Sequence, residues 1–218
     1  GVVHTLKQLG GGEINNQAKE RLYSYFTDRF GLNRQTGIDL AGESEGLMYS
    51  PKEQEGNAVR YSNMTFGQGM STSPIQAAVA LSSVVNGGKY VRPSVVDSVG
   101  GVKVNPDVVK SDVVSANTSE QVKYMMSQAS YLPKREGYKI GGKTGTAQLL
   151  QQDGTYSKTR ERGTAYGFLE TGEGTFVFMI KVEDPSLVRF AGTKTAVPIF
   201  VDSVNWFIDY YQPKKVKS

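Results

Sequence analysis

The sequence predicts an α+β fold in which helices come first, an antiparallel sheet follows, and a C-terminal helix packs on the sheet. Three observations carry this. Apolar residues recur at helical spacing in several stretches before residue 130. Three strand-like stretches then follow one another at residues 138–148, 164–169 and 175–183, the last two joined by Thr171-Gly172-Glu173-Gly174. Finally, Pro198 opens a stretch whose apolar stripe is Phe200, Val201, Val204, Phe207, Ile208 and Tyr211. A stripe of that width must be buried, and the sheet just before it is the nearest apolar face.

The elements read in order as follows. Val2, Val3, Leu6 and Leu9 share one helical face, and no capping residue precedes them. The start therefore reads as a cut through a larger fold, with an exposed apolar patch or a dimer contact expected at that edge. Gly10-Gly11-Gly12 ends this helix. Residues 13–30 keep a 3.6 period through Ile14, Ala18, Leu22, Tyr25, Phe26 and Phe30, and Gly31 stops them. Residues 36–43 (TGIDLAGE) read as extended, and 44–66 as a polar surface loop. Ser73, Pro74 and Gln76 form a capping box with proline in the first turn, so a helix starts there, with Ile75, Ala78, Val79 and Ser82 facing inward and Gly87-Gly88 ending it. Residues 91–104 read as a β excursion. Residues 118–129 read as a helix with a Thr118/Gln121 capping box and Val122, Met125, Met126 and Ala129 on one face. Residues 151–163 read as a polar loop, and 214–218 (KKVKS) as a frayed basic tail after Pro213. The domain reading is a single portion over residues 1–213 plus that tail.

Composition narrows the chemistry. The chain has 218 residues, 38% hydrophobic and 21% charged, an ordinary globular balance. It has no cysteine, which excludes disulfides, thiol nucleophiles and cysteine-bound metals. The only histidine is His4, so neither a histidine triad nor a multi-histidine metal site is available. Gly67-Gln68-Gly69 lacks the third glycine of a nucleotide fingerprint. No cofactor is called for. The net charge of +4 suits an anionic surface or a solvated face, and no nucleic-acid motif accompanies it. No apolar run is long enough for a membrane span.

The most informative stretch is 138–148, YKIGGKTGTAQ. Tyr138 and Ile140 point one way, and the Thr144 and Thr146 hydroxyls share one face. Gly141, Gly142 and Gly145 weaken a strand, which suggests that another backbone comes close. Lys143 adds a cation beside two hydroxyls. An extended peptide ending in a carboxylate needs those parts: a strand edge for its main chain, and a cation and hydroxyls for its charge. Taken alone, Lys143-Thr144-Gly145 reads equally as a surface strand with a solvated lysine.

Four segments together resemble the second half of the transpeptidase domain of class B penicillin-binding proteins. They are TGIDLAGE (36–43), FGQGMSTSPIQ (66–76) with NGGKYVRP (86–93), GGKTGTAQ (141–148), and the closing hairpin with AVPIF (196–200). They occur in the family's order and cover almost the whole chain. The resemblance implies a partial penicillin-binding, serine-β-lactamase-like transpeptidase fold. It implies a serine D,D-transpeptidase that cross-links peptidoglycan stem peptides ending in D-Ala-D-Ala and is acylated by β-lactams. Lys143 would then organise the site and the substrate carboxylate, Thr144 and Thr146 would hydrogen-bond that carboxylate, and Gly145 would leave room for it. The Thr146 backbone N–H would be an oxyanion-hole donor, worth about 3 kcal/mol in the transition state. The implied location is the extracytoplasmic side of a bacterial envelope, with the parent held by an N-terminal membrane helix outside this chain.

The family also needs S-x-x-K and S-x-N. No serine here has lysine three residues on. Ser115-Ala116-Asn117 and Ser203-Val204-Asn205 match S-x-N by letters, in helical contexts that do not fit the motif. The chain therefore reads as one wall of an active site without its nucleophile, with the rest of the domain as its missing partner, and as inactive by itself. A second reading is a non-catalytic relative that binds peptidoglycan or serves as a division scaffold. A third, a nucleic-acid binder, rests on the basic pI alone.

Overall fold

The structure is a computed structural model that describes residues 1–151, 153–186 and 190–216. The chain forms two compact units, Gly1–Ser83 with Lys89–Val113, and Val84–Gly88 with Val114–Ser218.

In the first unit α1 (Val2–Leu9) forms as expected, with no side-chain cap. Leu6 is buried against Ala18, Leu32, Met48, Tyr61 and Met64. Of the four apolar residues on α1 only Val2 is open, at 59% exposure, so the apolar patch expected at this edge shrinks to one side chain. The 13–30 stretch is α2 (Asn16–Ser24), capped by Asn15, whose side chain accepts from Ala18 N–H. It then widens into a π-helical turn, Tyr25–Arg29. Gly31 follows at φ +66°, and a Cβ there would lie 2.7 Å from the Tyr90 ring, so glycine serves both the turn and the packing.

The polar loop expected over 44–66 is corrected. It contains α3 (Ala58–Met64), capped by the Asn57 side chain on Arg60 N–H, with Tyr61 and Met64 buried. A helix of two turns shows too little periodicity to stand out among polar neighbours. The expected capping box is present at α4 (Pro74–Val85): the Ser73 hydroxyl accepts from Gln76 N–H at 3.2 Å, and Ser73 N–H donates to Gln76 Oε1 at 2.8 Å. The most deeply buried line of α4 in this unit is Gln76, Val79 and Ser83, with Ile75, Ala78 and Ser82 half-buried beside it. Gln76 decides that line, because its amide donates to the Arg34 and Glu45 carbonyls and must lie inside. The β excursion is two small antiparallel pairs, β1 (Tyr90–Val91) with β4 (Val108–Lys110) and β2 (Ser98–Val99) with β3 (Val102–Lys103). Residues 36–43 hold this unit together. Glu43 accepts from Thr36 N–H and Oγ1 and from Gly37 N–H, and Asp39 accepts from Val95 N–H and the Ser94 hydroxyl. Those bonds to Val95 and Ser94 hold the Asp39 carboxyl below the ordinary range.

The second unit is an antiparallel sheet between helices. β5 (Lys139–Leu150), β6 (Tyr156–Thr171) and β7 (Gly174–Glu183) pair in that order. Register sets Ile140 against Leu169, Gly142 against Gly167, Thr144 against Ala165 and Thr146 against Gly163. Opposed residues share a face. On this face Ile140, Ala165 and Leu169 pack with Val197, Phe200, Val204 and Ile208 of α6 (Val197–Tyr211). Each of the larger side chains here, fully buried, contributes roughly 2 kcal/mol. Phe200 fits because Gly167 lies beneath it, where a Cβ would be 2.3 Å from the ring.

Four expectations are corrected here. The 151–163 loop is mostly strand, since β6 begins at Tyr156. Its charged residues hid the pattern, and a bulge breaks the alternation: Gln148 opposes Glu161 while Leu150 opposes Tyr156. The helix before the sheet, α5 (Ala116–Ser127), starts two residues earlier than expected, capped by Ser115 on Thr118 N–H instead of by Thr118. Met125 is 62% exposed rather than inward. The tail is pinned rather than frayed over its described part, since Gly172 N–H donates to Lys214 O and Val216 N–H to Gly137 O. Lys217 and Ser218, the end of the expected tail, lie outside the described residues. No helix among the described residues is long and apolar enough to cross a membrane.

Candidate active site

β5 is an end strand, so among the described residues one of its edges has no partner. Every second residue of such a strand turns its N–H and C=O to that edge, where an extended peptide can pair. Strand alternation puts Thr144 and Thr146 on the α6 face and Lys143 on the other. The exposed Lys143 ammonium curls back to donate to the Thr144 carbonyl at 2.5 Å. It makes no ion pair among the described residues, so its charge is available to an anion. Thr144 is half-buried and Thr146 exposed. The cation and both hydroxyls therefore flank the open edge from its two sides.

The strand's glycines answer mainly to side chains rather than to another backbone. A Cβ at Gly141 would lie 2.2 Å from the Phe168 ring, and one at Gly142 2.7 Å from the Tyr131 hydroxyl. A Cβ at Gly145 would lie 2.6 Å from the Thr164 hydroxyl, which itself reaches the Gly145 carbonyl at 3.4 Å. The Thr164 hydroxyl would have to turn aside to admit a Cβ at Gly145. The Tyr131 hydroxyl is buried with no hydrogen-bond partner among the described residues, and burial pushes its pKa up.

One close backbone does exist, though nothing in the sequence near residue 192 points to it. Before α6 runs a second π-helical turn, Gly192–Ala196. Gly192 N–H donates to Thr146 Oγ1 at 3.1 Å, and Ala191 N–H donates to Glu161 Oε2 at 3.2 Å. Gly163, opposite Thr146, makes room: a Cβ there would sit 2.4 Å from the Ala191 carbonyl.

Farther along the sheet, Lys123 of α5 meets Glu170 at 2.6 Å, and Lys139 meets the same carboxylate at 3.0 Å. Burial of Glu170 opposes its charge, but the hydrogen bonds from the two lysines outweigh it and hold the carboxyl below its ordinary range. The two S-x-N look-alikes have other work. Ser115 caps α5, and the Ser203 hydroxyl donates to the Ile199 carbonyl one turn back. Among the described residues no group of three histidines or carboxylates is placed to hold a metal ion.

Residues 12–205 match the family model described as the penicillin-binding protein transpeptidase domain. Stage V sporulation protein D of Bacillus subtilis is 37% identical over 193 residues, which are 83% of this chain and 29% of that protein. Peptidoglycan D,D-transpeptidase FtsI of Escherichia coli K12 is 29% identical over 179 residues, 79% of this chain and 29% of its own length. The chain thus spans about three tenths of these curated relatives. Among solved structures, penicillin-binding protein 3 of Mycobacterium tuberculosis complexed with ampicillin superposes with a TM-score of 0.75 at 24% identity, covering 98% of this chain and 52% of that one. Its aztreonam complex gives a TM-score of 0.74 at 24% identity, covering 98% of this chain and 54% of that one.

Proposed function

Because this chain belongs to the penicillin-binding protein transpeptidase family, we propose that it forms the carboxylate-binding wall of a peptidoglycan D,D-transpeptidase. The protein that carries it cross-links stem peptides ending in D-Ala-D-Ala through a serine acyl-enzyme. The carrying observation is the open edge of β5, flanked by the Lys143 ammonium, which makes no ion pair among the described residues, and by the Thr144 and Thr146 hydroxyls. An extended peptide pairs its main chain with that edge. Its terminal carboxylate is held by Lys143 and the two hydroxyls, in charge-assisted hydrogen bonds stronger than neutral ones. The Thr146 N–H serves as oxyanion-hole donor to the tetrahedral intermediate. The nucleophile and its base come from S-x-x-K and S-x-N elsewhere in the whole protein, since this chain has neither S-x-x-K nor a fitting S-x-N. β-Lactams enter the same site, their carboxylate taking the place of the peptide's. The place of action is the outer side of a bacterial envelope, and a membrane helix outside this chain anchors the protein. Val2 is the remaining open apolar residue of α1 through which two copies would associate, and sedimentation velocity decides that point.

The test is acylation of the whole protein by a fluorescent penicillin. Lys143→Ala is expected to slow acylation by about a hundredfold, the scale of a lost charged hydrogen bond in a closed site. Unchanged acylation in Lys143→Ala would remove this assignment.

A further inference from the structure

We propose that Gly192 is a positioning residue for Thr146: its N–H occupies the Thr146 hydroxyl as an acceptor and leaves the O–H to donate toward the open edge of β5. The proposal rests on the reading above that Thr146 binds the substrate carboxylate. A threonine hydroxyl has one proton to donate and rotates to suit its surroundings. At an exposed position that rotation is free, and a free donor must be ordered each time a ligand binds. Here the Oγ1 already accepts from Gly192 N–H at 3.1 Å. With that lone pair taken, the proton is excluded from the direction of the Gly192 N–H. The hydroxyl donates no hydrogen bond among the described residues, so its proton is open to a ligand.

The bond depends on a backbone approach that side chains would forbid. A Cβ at Gly192 would lie 2.3 Å from the Gly145 carbonyl and 3.0 Å from Thr146 Oγ1. A Cβ at Gly163 would strike Ala191. Two further bonds fix the turn: Ala191 N–H to Glu161, and the Thr195 hydroxyl to the Ala191 carbonyl at 2.5 Å. Gly192 is buried, so its N–H has no water to turn to if Thr146 is lost. Positioning of this kind removes reorganisation at the moment of binding.

A double-mutant cycle on the whole protein tests it. The readout is the ratio of acylation rate constants for a β-lactam and for its carboxylate methyl ester, because general damage to the site slows both alike. Thr146→Val is expected to lower that ratio about tenfold. Gly192→Ala is expected to lower it nearly as much, and the double variant no further than Thr146→Val alone. Thr146→Ser, which keeps the hydroxyl, restores most of the ratio. An additive double variant, or a Gly192→Ala ratio equal to wild type, overturns the positioning role and leaves the carboxylate reading standing. An unchanged ratio in Thr146→Val overturns both. Should Gly192→Ala fail to fold, amide exchange in the whole protein decides. The Gly192 amide then exchanges at least about tenfold faster in Thr146→Val with the melting temperature held, and unchanged exchange overturns the bond itself.

Discussion

The Lys123 ammonium meets the Glu170 carboxylate at 2.6 Å, with only 13% and 17% of the two side chains exposed. Lys139 reaches the same carboxylate at 3.0 Å but is 61% exposed. The two lysines look equivalent in a contact diagram and differ in energy. Removing Lys123 leaves a mostly buried carboxylate short of its inner partner, which costs about 3 kcal/mol. Removing Lys139 loses an exposed pair worth about 0–1 kcal/mol. Urea unfolding of Lys123→Ala and Lys139→Ala measures both. Equal costs would mean that the inner pair is hydrated in solution.

Acid should destabilise the second unit through its glutamates. Glu170 is held below its ordinary pKa for the reason given above. Glu183 is held down to about 2 by hydrogen bonds from Lys181 and Arg162. A carboxyl lowered on folding stabilises above its unfolded pKa, near 4.3, and loses that contribution as pH falls through its folded value. The window therefore runs from about pH 5 down to about pH 2. Glu183 is half exposed, so its share is small. Glu170→Gln is expected to flatten the fall in stability with acid more than Glu183→Gln does. Melting temperatures between pH 5 and pH 2.5 that fall in parallel for wild type and Glu170→Gln would rule this out.

Gln76 sits almost fully buried and joins three stretches of backbone, accepting from Ser73 N–H and donating to the Arg34 and Glu45 carbonyls. Gln76→Ala breaks the capping box and leaves two part-buried carbonyls without their donor. At 1–3 kcal/mol per buried group left unsatisfied, the loss is about 3 kcal/mol. Gln76→Glu keeps the size but exchanges the two donated bonds for repulsion, and is expected to be no better. A cost for Gln76→Ala below about 1 kcal/mol in urea titration would show that water replaces the side chain.

What was legible in the sequence had short-range causes. The α4 capping box, the α6 stripe and the glycine-rich β5 strand each declare themselves within a dozen residues. The α3 helix and the first half of β6 did not, because one is too short for periodicity and the other is charged and bulged between Gln148 and Leu150. At the candidate site Lys143, Thr144 and Thr146 were readable from the motif. Gly192 was not, since its role exists only through a register of 46 residues that brings its N–H to Thr146. The same limit hid the reasons for Gly141 and Gly142, which lie in Phe168 and Tyr131, while at Gly145 the backbone of Gly192 does come close.

Covalent chemistry is expected to be absent from the chain alone. β-Lactams mark this reaction by acylating a serine whose hydroxyl is activated by a neighbouring lysine. No serine of this chain has lysine three residues on. The serines that match S-x-N by letters are committed, Ser115 to Thr118 N–H and Ser203 to the Ile199 carbonyl. On the proposed assignment Lys143, Thr144 and Thr146 would still meet a β-lactam carboxylate, but exposed pairs of that kind are worth about 0–1 kcal/mol, too little to hold a ligand. The 218-residue chain is therefore expected to form no adduct with a fluorescent penicillin. The longer protein that includes S-x-x-K and S-x-N is expected to label. Intact-mass spectrometry reads both. A penicilloyl mass on the short chain would reveal an activated serine outside the motif, and silence in the long protein would show that the family's fold has lost its chemistry here.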